Sequence, residues 1–269
     1  MKDKRVLYVS SEVLPYLPET EMSSMSFEAA RKAHHKGVQT RIFMPRYGLI
    51  NERRYQLHEV IRLSGMNLIV NDMDMPLIIK VASIPKERMQ VYFIDNEEYF
   101  KRKATFKDEN SELFSDNDER AIFFAKGVVE TVKKLNWAPD IIHVHGWMAS
   151  LLPLYLKEYY KDDPLFSESK IVTSLYSSDF EGALNSNLID KVKFDNISEE
   201  KAEILKDPSH VNIMKSAIEN SDGVIKASED LSNELTEFID AQDKPSLDFL
   251  SEDTFADAYL DFYSNEVLN

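Results

Sequence analysis

The stretch Pro139-Asp140-Ile141-Ile142-His143-Val144-His145-Gly146-Trp147 decides the fold. A short apolar run ends in two histidines, is broken by a glycine and gives way to a helix-like segment from Trp147 to Tyr160. That pattern predicts a buried strand whose carboxyl end lies at a functional edge, because ligands of open α/β sheets sit there.

Working outward, Arg5 to Ser10 reads as a second buried strand and Ser23 to Lys36 as a helix closed by Gly37, the position where a C′ glycine is expected. Val38 to Met44 is the next strand, stopped by Pro45. Strand, helix and strand make one βαβ unit, which requires a right-handed crossover and a parallel pair. Between Leu57 and Asp95 four strand signals follow at short spacing: Glu59 to Leu63, Asn67 to Val70, Pro76 to Ile84 and Met89 to Ile94. Such spacing predicts an antiparallel hairpin or meander beside the parallel sheet. Asp116 opens a strong helix, with Glu119 placed to complete a capping box and Phe124, Val128 and Val132 forming its buried stripe. Lys170 to Ser174 is a further strand, 175–187 a polar loop, 198–205 and 211–220 helices, 222–227 the last strand and 229–239 a helix. The sum is an α/β fold: a Rossmann-like, mostly parallel sheet with helices on both faces and a small antiparallel insertion.

Composition narrows the function classes. The 269 residues contain no cysteine, which removes disulfides, thiolate metal sites and cysteine nucleophiles and fits a reducing, cytoplasmic setting. No apolar run is long enough to span a membrane, and the five-residue charged start leads into too short an apolar stretch for a secretory leader. A net charge of −15 argues against nucleic acid and anionic membranes as partners. Twelve of the acids lie from Glu229 onward against the single base Lys244, so the last 41 residues carry −11. We divide the chain into a domain over 1–239 and an acidic, aromatic tail over 240–269, expected as a frayed or loosely docked solvated end, or as a segment that folds onto a partner. Only seven glycines are present and none forms a glycine-rich loop after the first strand, so no nucleotide cofactor is expected. His143 and His145 share one face of their strand, but no third ligand stands at suitable spacing, and no metal is expected. His145 reads as a hydrogen-bonding group at the mouth of the cleft, and Trp147 as packing rather than a sugar-stacking platform. Glu12 is placed either to touch a ligand or to cap a loop. The carboxylates Asp179 and Glu181, like Glu19 and Glu21, would do acid and base work only at a suitable separation.

Several blocks in fixed order resemble one family. They are Val6 to Val13 with Pro15, Arg41 to Gly48, Asp116 to Arg120, Pro139 to Trp147, Leu151 to Lys157, and Asn212 to Lys215 followed by Ser221-Asp222. Together they resemble the N-terminal, acceptor-side half of the bacterial glycogen and starch synthases, ADP-glucose-dependent retaining glucosyltransferases of GT-B fold. The departures fall where the family's chemistry would be. A pattern like K-x-G-G-L, which approaches the donor phosphates, corresponds to Pro18-Glu19-Thr20-Glu21-Met22, so the lysine is Pro18 and the glycine pair is Thr20 and Glu21. The family's H-x-H-D-W has Gly146 in place of its sugar-holding aspartate. A T-x-H-N-L-x-Y-Q-G pattern aligned on Gly182 puts Tyr176 at its histidine and Ser177 at its asparagine. The chain also ends where the family's donor domain would begin. The vestigial cleft expected from this resemblance is Glu12, Pro18, Thr20, Glu21, His145, Gly146, Trp147, Tyr176 and Ser177, with no catalytic residue among them. The implied function is a glucan-binding or regulatory component of glycogen metabolism, with an α-glucan and a protein partner as ligands. The alternatives are a glucosyltransferase completed by a separate donor-domain chain and an adaptor working through the acidic tail.

Overall fold

A computed structural model describes residues 1–177, 180–251 and 254–269. Its ten strands are β1 (Arg5–Ser10), β2 (Gln39–Pro45), β3 (His58–Glu59), β4 (Met66–Val70), β5 (Met73–Ser83), β6 (Gln90–Asp95), β7 (Ile141–His145), β8 (Lys170–Leu175), β9 (Gly223–Lys226) and β10 (Ser246–Leu247). They form one sheet in the order β10-β9-β8-β7-β1-β2-β6-β5-β3, with β4 paired to β5. All pairs from β10 to β6 are parallel, while β5 runs antiparallel to β6, β3 and β4. The fold is therefore α/β with a mixed, mostly parallel sheet. β1 is central, and Val6, Leu7, Tyr8 and Val9 are buried whichever face they point to, which is why the strand is apolar without alternation.

The antiparallel insertion is smaller than its four strand signals implied. The run at 89–94 is β6, whose other edge pairs in parallel with β2, so it belongs to the main sheet. The expected strand at 59–63 contracts to His58–Glu59, because a turn begins at Val60, whose carbonyl accepts from Leu63 and Ser64.

The first helix, Glu21–His35, starts two residues before its expected position. Thr20 is its N-cap: Ser23 N donates to Thr20 Oγ1 at 3.0 Å and Thr20 N to Ser23 Oγ at 2.8 Å. Its inner face carries Met22, Met25, Ala29, Ala30 and Ala33, small enough at three positions for close approach to the sheet. The long helix Asn117–Leu135 forms as expected, but Asp116 makes no side-chain cap. Its carboxylate instead takes both Arg102 terminal nitrogens, at 2.9 and 2.5 Å, a bidentate pair stronger than a cap to a backbone amide. Two buried ion pairs, Lys126 with Asp195 and Lys191 with Asp118, each at 2.6 Å, tie this helix to the region of helix Leu188–Phe194. The segment after Trp147 is broken into short turns rather than one helix.

The end of the chain is not solvated. Helix Phe255–Phe262 and the wider turn Tyr263–Val267 bury Phe255, Tyr259, Leu260, Phe262, Tyr263 and Val267. The helix lies along the first helix, fastened by Lys32 and Lys36 to Asp257, and covers β9 so closely that a Cβ on Gly223 would stand 3.0 Å from Val267. The acids of this segment face outward while its aromatic rings fill the sheet surface.

Candidate functional site

From β1 the chain crosses to β2 on one side, and from β7 it crosses to β8 on the other. The loops leaving these adjacent strands diverge, and a crevice is expected between their carboxyl ends. The register pairs Tyr8 with His143 and Ser10 with His145, so the crevice floor is built by Ser11 and Gly146. Ser11 N donates to the His145 carbonyl at 2.9 Å, and Met148 N donates to Ser11 Oγ at 3.1 Å, joining the two loops.

Met22 fills that floor. Gly146 has φ +80°, a left-handed conformation that side-chain-bearing residues rarely adopt. A Cβ built there would come within 2.5 Å of Met22 Sδ and 2.6 Å of Ser11 Oγ. An aspartate at this position would meet both a strained backbone angle and the Met22 and Ser11 side chains, which would have to shift.

The start of the first helix forms the crevice wall. Thr20 Oγ1 donates to Glu12 Oε2 at 2.8 Å, so Glu12 holds the helix cap, which is the loop-capping alternative. Glu21 reaches across to accept from Ser228 Oγ after β9, and Ser24 Oγ donates to Glu19 at 3.3 Å. The partial positive charge at this helix start is thus already met by the protein's own carboxylates. Pro18, Thr20 and Glu21 are exposed.

His145 is not at the mouth of a cleft. It is fully buried, with Nδ1 hydrogen-bonded to Tyr176 Oη at 2.8 Å and Nε2 without a hydrogen-bond partner. Its ring centroid lies 3.9 Å from that of His143. His143 in turn is enclosed by Tyr259 and Tyr263, with Nε2 bonded to Ser174 Oγ at 2.7 Å and Nδ1 to Tyr263 Oη at 2.5 Å. Burial lowers the His145 pKa to about 3 and, together with the His145 charge, drives that of His143 well below its ordinary value. Both rings are neutral packing elements of a buried histidine and tyrosine network. Among the described residues no group of three His, Asp or Glu side chains could hold a metal ion.

Trp147 packs edge-on against Phe106 and Phe180, at 5.5 and 5.2 Å, beneath the surface. Ser177 is exposed, Asp179 lies outside the described residues, and Glu181 lines a separate cavity of about 680 Å³ with Lys107 and Glu112. The structure therefore gathers Glu12, Thr20 and Glu21 at the crevice wall and sets Gly146 under Met22. His145 and Tyr176 lie buried together, and Trp147 sits in its own aromatic cluster. Met22, Ser11, Ser228, Tyr259 and Tyr263 complete the arrangement without having been singled out. For the tyrosines the available signal was the spacing of Phe255, Tyr259, Phe262 and Tyr263, which places one aromatic stripe on a helix.

An open, mostly parallel α/β sheet with its crevice at the β1 and β7 ends is the class of domain that this geometry defines. The family model described as "Starch synthase catalytic domain" matches residues 5–243, and the chain belongs to that family. A glycogen synthase of Chlorobium luteolum is 35% identical over 226 residues, covering 82% of this chain and 45% of the relative. That of Chlorobaculum tepidum is 34% identical over 249 residues, covering 91% and 49%. Among solved structures, the catalytic domain of starch synthase IV from Arabidopsis thaliana bound to ADP and acarbose matches with a TM-score of 0.77 at 15% identity, covering 95% of this chain and 53% of that one. That likeness supports the fold alone. The chain spans about half the length of the curated relatives it matches. No helix among the described residues is long and apolar enough to cross a membrane.

Proposed function

We propose that this chain serves α-glucan metabolism as a glucan-binding or regulatory component and does not transfer glucose at its own crevice. The single observation that carries the reading is Gly146 itself, which supplies no carboxylate at this place and has Met22 and Ser11 packed against it. Charge supports it. Glu19 and Glu21 align with the family pattern that approaches the donor phosphates, and two like charges about 4 Å apart repel by about 1 kcal/mol even in water. Family membership supports the glucan part of the reading.

The test is ADP release from ADP-glucose with glycogen as acceptor, paired with calorimetric titration of ADP-glucose, a maltooligosaccharide and glycogen. The expected result is no ADP release, no heat with ADP-glucose and saturable heat with a glucan. Turnover by the purified chain alone overturns the reading. A second reading is favoured by the length of the relatives, of which this chain covers about half. There the chain is the acceptor half of a glucosyltransferase, and ADP release appears only when a donor half is supplied with it.

A further inference from the structure

At the amino edge of the sheet, opposite the crevice, a cavity of about 430 Å³ is lined by His34, Gln39, Thr40, Arg41, Arg88 and Trp137, among others. β2 begins here and ends at the crevice side, a length of about 20 Å at the usual rise per residue. Nothing in the family chemistry described above reaches this pole.

Its chemistry is cationic and incompletely met. The Arg41 guanidinium lies 4.8 Å from the Trp137 ring centroid and 5.6 Å from that of Tyr92, so both rings hold it by cation–π contact. Its Nη1 is buried and has no hydrogen-bond partner, a costly state for a charged donor. Burial lowers its pKa, and the nearby Arg5 and Arg62 charges act in the same direction. Arg88 comes from loop 84–89, where both Lys86 and Arg88 adopt left-handed backbone, with φ of 71° and 58°. The only carboxylate of that loop, Glu87, is engaged by His35 Nε2 at 2.7 Å. In a chain of net charge −15, guanidinium groups left without a carboxylate point to an outside anion. The planar donor fork of arginine matches the oxygens of a phosphoryl group.

We propose that this cavity binds a phosphoryl oxyanion, either as free phosphate or carried by a small phosphorylated metabolite, with Arg41 and Arg88 as its charged ligands. Gln39, Gln90 and Thr40 line the same space and supply neutral polar groups for the remaining oxygens or for the metabolite's body. The site is separate from the crevice and does not depend on whether glucosyl transfer occurs there.

The experiment titrates the full chain with inorganic phosphate and with a hexose monophosphate at low and high salt, following heat and tryptophan emission. Trp147 is packed at the opposite end, so an emission change lost in Trp137→Phe belongs to this cavity. The expected result is saturable binding with Kd no weaker than about 10 mM, reduced about tenfold or more by Arg88→Ala, and weaker at high salt. Arg88 is exposed, so that variant tests binding without disturbing packing, and Arg41→Gln gives a second reduction where it folds. Tighter binding of the hexose phosphate assigns a metabolite, and equal binding assigns phosphate itself. Absence of saturation with both probes, or unchanged affinity in Arg88→Ala, overturns the proposal.

Discussion

Tyr263 Oη and His143 Nδ1 share a hydrogen bond at 2.5 Å, joining the last turn of the chain to a central strand 120 residues earlier. Ser174 Oγ occupies the other ring nitrogen at 2.7 Å. A neutral imidazole has one donor and one acceptor nitrogen, so the two hydroxyls act in opposite senses. Tyr263→Phe leaves one ring nitrogen unmet in a dry site and is expected to cost about 1–3 kcal/mol. Urea denaturation of the variant measures it, and an unchanged midpoint contradicts the role given to this bond.

Removal of residues 255–269 tests the final helix as a whole. It would expose the sheet surface now covered by six buried side chains, each contributing about 1.5–3 kcal/mol. The loss matches or exceeds the 5–15 kcal/mol stability typical of a domain, so the shortened chain should lose cooperative melting. An adaptor tail would come away with the melting curve nearly unchanged, which is the opposite result.

The histidine pair makes the fold sensitive to mild acid. Both folded pKa values are depressed, that of His145 to about 3, while an unfolded histidine titrates near 6.5. Above about pH 6.5 neither state takes up the protons, and the pair costs no stability. As pH falls below that value the unfolded chain binds protons that the folded chain refuses. Stability then drops by as much as about 1.4 kcal/mol per pH unit for each histidine, a trend that continues for His145 to about pH 3. Denaturation at pH 7.0, 6.0 and 5.0 should show this slope, and His145→Gln should lower it by about one proton.

Gly146 and Met22 should be coupled. Gly146→Asp combines backbone strain of about 1–3 kcal/mol with overpacking against Met22 of similar size. Met22→Ala makes space and should recover the overpacking part in the double variant, leaving the backbone part. Additive losses in the double-mutant cycle would show that the two side chains do not compete for one space.

The parallel sheet was legible because its strands are apolar on both faces, and the strands around β1, β2, β7, β8 and β9 stand close to where periodicity placed them. The crevice expected between the β1 and β7 ends rests on the same reading of strand order. Occupancy was not legible. His145 is buried against Tyr176, and its neighbour His143 is covered by Tyr259 and Tyr263, more than 110 residues downstream in a segment whose charge alone suggested solvation. Asp116 was misassigned for a related reason: a local capping rule lost to a tertiary partner, Arg102. Glu12 lay between two readings until Thr20, eight residues on, supplied its hydrogen bond. Local chemistry placed the elements, and long-range contacts decided which side chains remain available.

The seat of the final helix has a consequence for the order of events during synthesis. Strands β1 and β7 and the first helix are all made by residue 145, yet the His143 face they create stays bare until residues 255–267 arrive. Domains form as units while the chain emerges at about 5–20 residues per second, so roughly 120 residues of delay leave that face open for several seconds or more. The nascent chain therefore carries an uncovered aromatic and imidazole surface that residues 255–267 later close. Emergence of residues 255–267, rather than pairing of the central strands, is the step at which this face is closed.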